Sequence, residues 1–236
     1  EFGELVICYD SKNYWRREYF PEYKAGRRKS RETSSHDWND IFECLNTIKS
    51  EIRDNFPYKV LEVYGAEADD IIASLCGELE FDNGKTLILS GDKDFIQLHR
   101  FKNVKQYSPI TKKFINGEDP TEYLYQHILK GDSSDGVPNV LSPDNTFVDG
   151  LRQRPLSKKK ISEWAGPLCE QVLPNDELKR NYQRNKKLID LQETPKELHL
   201  ECIRTYQDAP EGDRSKLLNY FIKNRLNDLM ENIGDF

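Results

Sequence analysis

An α/β fold, with a mostly parallel sheet flanked by helices, is predicted by three strand-like stretches that each end in acidic residues. Residues 4–9 form an apolar run ending in Asp10, residues 59–63 lead into Glu67, Asp69 and Asp70 at the head of a helix, and residues 86–90 lead into Asp92 and Asp94. Ligands of parallel α/β sheets bind outside the carboxyl ends of the strands. Acids gathered at that rim repel one another and resist ionisation unless a cation holds them. A hard divalent ion such as Mg2+, which takes oxygen ligands and keeps positions for water and phosphate, suits this composition. A structural account stands beside that one, because acids at helix starts are favoured by capping and by the macrodipole, and Asp10 also suits the turn before Ser11-Lys12-Asn13.

Taken in order, residues 13–35 interleave aromatic and cationic side chains: Tyr14-Trp15-Arg16-Arg17, then Pro21-Glu22-Tyr23-Lys24-Ala25-Gly26-Arg27-Arg28-Lys29. Such a segment grips phosphates while its rings stack on unpaired bases, which makes Tyr14, Arg16, Arg17 and Arg28 candidate nucleic-acid contacts. The alternative is a solvated basic surface. Residues 36–55 carry Trp38, Ile41, Phe42, Leu45, Ile48 and Ile52 at helical spacing before Pro57, and this stripe is expected in the core. A helix over residues 71–79, a turn at Asn83-Gly84, a short helix over 95–98 and short strands over 104–107 and 113–115 follow. A helix over Pro120–Lys130 leads into a loop, residues 131–139, dense in turn formers. Its Asp132 and Asp135 either reach the acidic rim or belong to an ordinary turn.

Beyond the loop the pattern is helical. Ser157 with Lys158, Lys159 and Lys160 starts a helix through Trp164, these lysines being further nucleic-acid candidates, and residues 175–191 form a charged helix. Leu217, Leu218, Phe221, Ile222, Leu226 and Leu229 recur at helical spacing over residues 214–233 and are expected to be core. The division expected is residues 1–118, an α/β core with a basic segment at 13–35, and residues 119–236, a helical duplex-binding subdomain.

Bulk properties bound the possibilities. The 236 residues carry a formal charge of −6, yet the bases crowd residues 16–31 and 152–160. Acids in a site with bases around it are what a metal-dependent nuclease requires. The five cysteines form no Cys-x-x-Cys pair and read as reduced core residues, and the four histidines are dispersed without a zinc-binding spacing. No apolar run approaches the ~20 residues that span a bilayer. The chain starts at Glu1 and shows no signal peptide, and a cytoplasmic protein without a membrane role is expected.

Four motifs, Glu22-Tyr23-Lys24 with Arg27, Glu67-Ala-Asp69-Asp70, Gly91-Asp92-Lys93-Asp94-Phe95 and Lys130-Gly131-Asp132-Ser133-Ser134-Asp135-Gly136-Val137, occur in the order found in the 5′-nuclease (flap endonuclease) family. The chain resembles that family from about Val6 to its C-terminus, most nearly its phage ribonuclease H branch. The resemblance implies a PIN-like core lacking its first strand and that strand's Asp, followed by a helix-three-turn-helix opening at residues 131–137. It implies that Asp10, Glu67, Asp69, Asp92, Asp94, Asp132 and Asp135 bind two Mg2+ ions, with Mn2+ as substitute, that Asp70 supports them, and that Lys24 and Arg27 act on the scissile phosphodiester. The implied activity is 5′-3′ exonuclease and flap endonuclease cleavage of RNA primers or DNA at 5′ ends during replication, by two-metal hydrolysis. Implied partners are forked, flapped or nicked DNA, RNA-DNA duplex, a replication single-stranded-DNA-binding protein and a separate N-terminal fragment. Two departures stand out: the family's leading strand is absent, and residues 140–156 replace its Gly-x-Gly-x-Lys hairpin. Two other readings remain open, a catalytically incomplete module that binds forked DNA and a small-molecule phosphatase built on the Asp92-Lys93-Asp94 pair.

Overall fold

β1 (Val6–Tyr9) delivers Asp10 at its end, and the chain then forms α1 (Trp15–Tyr19), α2 (Ala25–Glu32) and α3 (Trp38–Asn55). In this computed structural model residues 3–81, 84–117 and 119–236 are described, without the side chains of residues 28–30 and 80–81. Asn83 of the expected turn, the side chain of Arg28 and position 118 of the expected boundary lie outside the described residues. β2 (Lys59–Glu62) returns parallel to β1, Val6 opposite Lys59 and Tyr9 opposite Glu62. α4 (Ala68–Phe81) leads to β3 (Thr86–Leu89), a 3-10 helix (Lys93–Arg100), β4 (Val104–Ser108) and β5 (Lys113–Ile115). β3 and β4 are parallel, and β4 and β5 antiparallel.

The α/β class and the predominance of parallel pairs are as expected. Among the described residues, however, the strands form two sheets, β1-β2 and β3-β4-β5, in which β1 and β3 are both edge strands.

α5 (Pro120–Lys130) is bounded as its sequence dictates. Asp119 caps it by accepting from Thr121 N and Glu122 N, Pro120 occupies the first helical position, and Gly131 ends it at positive φ. Residues 131–157, which include the expected opening of the helix-three-turn-helix at 131–137, run through turns and one short 3-10 helix (Asp144–Thr146) to α6 (Lys158–Trp164), whose start is capped by Ser157. α7 (Cys169–Val172), α8 (Asp176–Ile189), α9 (Lys196–Asp208), α10 (Leu217–Lys223) and α11 (Asn227–Glu231) complete the chain.

Packing crosses the expected division at 118/119. One cluster joins Phe20 and Tyr23 to Ile128, Leu129, Trp164 and Tyr182. Another joins Leu61 and Ile71 to Cys202 of α9, and a third joins Ile88 and Phe95 to Leu191. Full burial of side chains such as Leu61 and Ile71 is worth about 1.5–3 kcal/mol each, so the C-terminal helices help to hold the strands that carry the acids.

Three expectations about the core are corrected. α3 buries no residue completely; Phe42, Leu45 and Ile48 are exposed because the helix packs on β2, at the edge of a sheet only two strands wide. Cys44 on the same helix is exposed as well. The single helix expected over residues 214–233 is broken at Arg225, which adopts φ +56°, and of its stripe only Leu217 and Phe221 are buried. α9, which packs across α4, has no counterpart among the expected elements.

Candidate functional site

The site is assembled from turns that follow the strands. Ser11 N donates to Ala66 O and Trp15 N to Gly65 O, both at 2.9 Å, so the segments leaving β1 and β2 run side by side. Gly65 makes this approach at φ +88°, a conformation that favours glycine. Asp10 Oδ1 accepts from Ala68 N at 2.8 Å, at the head of α4, and Asp70 Oδ2 accepts from Glu67 N at 3.0 Å. Asp92 caps the 3-10 helix through Asp94 N. Asp132 Oδ1 accepts from the backbone N and the hydroxyl of Ser134, both at 2.7 Å, in a turn closed by Val137 N donating to Asp132 O.

Arg16 is the hub beneath these turns. Its Nη1 donates to Glu67 Oε2 at 2.9 Å and Asp70 Oδ2 at 2.8 Å, its Nη2 to Asp70 Oδ1 at 2.8 Å, and its Nε to Leu188 O at 2.8 Å. Trp15 Nε1 and Thr194 Oγ1 also donate to Asp70. Burial alone would raise the Asp70 carboxyl, but Arg16 outweighs it and holds the group below the usual carboxylate range.

Asp69, Asp94, Asp132 and Asp135 line one cleft together with Tyr23 and Arg16. Burial, with Asp94 and Asp92 nearby, pushes Asp69 up to about 8. Burial also raises Asp94 to about 7, where Asp92, Asp132 and Asp135 act against the attraction of His127. For Asp132 burial pushes upward, but His127 and Ser134 prevail and the carboxyl is held well below its ordinary range. Tyr23 stays protonated because burial, Asp135 and Glu67 all disfavour a phenolate; its hydroxyl donates to Asp135 Oδ2 at 2.8 Å and lies 3.1 Å from Glu67 Oε2.

The basic segment closes over the acids. Lys24 Nζ pairs with Glu67 and lies 3.5 Å from Asp135, Arg27 pairs with Asp135, and Lys24 N donates to Asp135 O at 2.7 Å. Burial lowers the Lys24 ammonium, but Asp135 and Glu67 outweigh it and keep it charged. Two cation–ring contacts, at 5.6 Å to Tyr14 and 5.0 Å to Tyr23, fix its position.

Glu67, Asp92 and Asp10 do not line the cleft: Glu67 is joined to it through Tyr23, Asp92 through its field on Asp69 and Asp94, and Asp10 holds the head of α4 through Ala68 N. Arg16 is corrected as a nucleic-acid contact: it is 2% exposed and saturated by carboxylates, so no phosphate reaches it. Arg17 is exposed. Lys158, Lys159 and Lys160 are exposed on α6 and do not line the cleft.

Sequence reasoning missed His127. Its Nδ1 lies 3.5 Å from Asp94 Oδ1 and its Nε2 3.7 Å from Asp132 Oδ2. The only available signal was a histidine on the last turn of the helix leading into the Asp132 turn. Among the described residues, ligand atoms of Asp94, His127 and Asp132 all lie within 4.8 Å of one another. Converging oxygen donors, two carboxyls displaced toward neutrality and a buried Nδ1 without a hydrogen-bond partner together fit a divalent cation.

A family model described as 5′-3′ exonuclease, N-terminal resolvase-like domain, matches residues 1–125, and one described as T4 RNase H, C terminal, matches residues 120–236. The chain is 34% identical over 244 residues to the ribonuclease H of Enterobacteria phage T4, covering all of this chain and 80% of that protein. It is 34% identical over 145 residues to a 5′-3′ exonuclease of Buchnera aphidicola (strain Sg), covering 58% of this chain but only 48% of that relative's length. Among solved structures, the bacteriophage T5 flap endonuclease, in a pseudo-enzyme-product complex with DNA and metal ions, aligns with a TM-score of 0.63 at 17% identity, over 98% of this chain and 83% of the other. The T5 5′-exonuclease with zinc bound aligns with a TM-score of 0.62 at 18% identity, over 98% and 83%. These two likenesses bear on the fold.

Proposed function

The chain belongs to the 5′-3′ exonuclease family, and from that premise we propose that it is a divalent-metal-dependent nuclease hydrolysing phosphodiesters at the 5′ ends of RNA primers and DNA flaps during replication. The observation that carries this reading is the meeting of Asp69, Asp94, Asp132 and Asp135 in one cleft, where Arg27 pairs with Asp135 and Lys24 with the adjoining Glu67. Asp10, Glu67, Asp69, Asp92, Asp94, Asp132 and Asp135 would hold two Mg2+ ions, with Mn2+ as a substitute. Bound there, such ions supply a water that ionises near neutral pH and charge for the phosphoryl oxygens. Lys24 and Arg27 present donors to the phosphate, where charge grows during displacement. Tyr23 keeps its proton and orients Glu67 and Asp135, and Asp70 with Arg16 fixes the head of α4 beneath them.

Residues 119–236 supply the duplex-binding part in this reading and residues 1–118 the core. Arg17, Arg28, Lys158, Lys159 and Lys160 meet backbone phosphates, so affinity for forked, flapped or nicked substrates falls with salt. Tyr14 takes part through its ring. A replication single-stranded-DNA-binding protein is the protein partner of this scheme, and the host cytoplasm is its setting.

The test is cleavage of a 5′-labelled flap and of a nicked duplex, with Mg2+ or EDTA, by the chain alone and with an N-terminal fragment of the T4 relative added in trans. Short 5′ products that require Mg2+, and their loss in Asp94→Asn with DNA binding retained, are expected. Salt-sensitive binding without cleavage under every condition would replace the enzyme reading by a DNA-binding module.

A further inference from the structure

The imidazole of His127 sits among carboxylates without forming a hydrogen bond to either neighbour. Its two nitrogens stand 3.5 Å and 3.7 Å from Asp94 and Asp132, and Nδ1 is inaccessible to solvent and without a hydrogen-bond partner. A histidinium serving merely as counter-ion would be drawn into charge-assisted hydrogen bonds of about 2.7–2.9 Å. Donors sharing one ion at bond lengths of about 2.1 Å lie about 3.0–3.4 Å apart; one ring nitrogen and one oxygen from each of Asp94 and Asp132 lie within 4.8 Å of one another, so the set reaches ligand geometry by closing on the ion by at most about 1–2 Å. The ring is held for that role. It projects from the last turn of α5, which packs on the 3-10 helix bearing Asp94, and Tyr123 meets it at an interplanar angle of 63° with centroids 5.6 Å apart.

We propose that His127 supplies one imidazole nitrogen to a divalent ion that it holds together with Asp94 and Asp132, giving this position a nitrogen and two carboxylates as donors. The inference rests on the metal-dependent reading of the cleft and adds to it a nitrogen ligand and a preference. Carboxylate and water donors suit Mg2+, whereas imidazole raises affinity for transition ions along the series from Mn2+ through Co2+ to Zn2+. The position therefore favours a transition ion over Mg2+.

Pulsed electron paramagnetic resonance of Mn2+ bound to the full chain tests this without any substitution: hyperfine coupling to a directly bound nitrogen is expected. Calorimetric titrations of the full chain and of His127→Gln and His127→Ala provide the second arm. Loss of the imidazole should weaken Co2+ by about 10–100-fold, the scale of disrupted metal-site contacts, while Mg2+ weakens much less. Bound Mn2+ without nitrogen coupling overturns the inference and leaves the metal site standing. Equal loss for Co2+ and Mg2+ also overturns it, because His127 would then act by positioning Asp94 and Asp132. If neither Mn2+, Co2+ nor Mg2+ binds, both the inference and the metal-dependent reading fail.

Discussion

Replacing Arg16 by methionine keeps most of the side-chain volume but removes the guanidinium on which the floor of the site depends. Arg16 is 2% exposed and Asp70 is fully buried, and they are joined by two bonds of 2.8 Å, with a third from Arg16 to Glu67 at 2.9 Å. Removing one partner of a buried ion pair strands the other charge, at a cost of about 3–5 kcal/mol. In a domain of this size each kcal/mol lowers Tm by about 2–4 °C, so Arg16→Met should melt about 6–20 °C lower. Calorimetry at neutral pH on Arg16→Met, Asp70→Asn and the double variant measures it. The double variant should lose less than the sum of the single losses, because Asp70→Asn removes the stranded charge. DNA binding, measured where the variant is folded, should keep its salt slope, whereas loss of a phosphate contact would reduce that slope by about one. A Tm within about 2 °C of the parent together with a reduced slope would refute the buried-anchor assignment and return Arg16 to the DNA-binding surface.

Other predictions concern the turns around the site. Asp144 accepts from Arg180 at 2.8 and 2.9 Å and also pairs with the buried Arg184; burial pushes its carboxyl up, but the two arginines prevail and hold it below the ordinary range. A depressed carboxyl stabilises above its unfolded pKa and loses that contribution as pH falls through its folded one. Asp144→Asn should therefore lower Tm at pH 7, and the gap to the parent should close in strongly acidic buffer. Gly131 has φ +67°, and a Cβ there would stand 2.4 Å from Val137 O and 2.6 Å from Pro138 C. Gly131→Ala should cost at least about 1–3 kcal/mol from backbone strain alone, read as a lower denaturant midpoint.

Local chemistry announces much of this molecule. Asp119, Pro120 and Gly131 bound α5 in the sequence as they do in the structure, and the acids after β1, β2 and β3 are visible as strand-end residues. What stays hidden depends on distant partners. Within the run Trp15-Arg16-Arg17 nothing distinguishes the buried arginine from the exposed one, because its partner Asp70 lies 54 residues away. His127 offers no metal-binding spacing, since Asp94 reaches it only through the packing of α5 on the 3-10 helix. The stripe on α3 is a genuine helical signal, yet its exposure is set by what packs on it, which periodicity does not encode. At Arg225 neither glycine nor proline marks the break, so the last helix reads as continuous.

The pairing of Lys24 with Glu67 and of Arg27 with Asp135 has a consequence for how the protein behaves with and without metal. Those side chains are built-in counter-ions: they neutralise two carboxylates that an incoming divalent ion would also seek, and they are tethered where no dialysis removes them. If Glu67 and Asp135 hold the ions as proposed, loading the site is an exchange rather than a simple filling, and it releases the ammonium and guanidinium beside the place a phosphate would enter. The tryptic sites of α2, after Arg27, Arg28, Lys29 and Arg31, turn that exchange into something a protease can time. A clasped α2 should be cut slowly in chelator and faster once the carboxylates are claimed by metal.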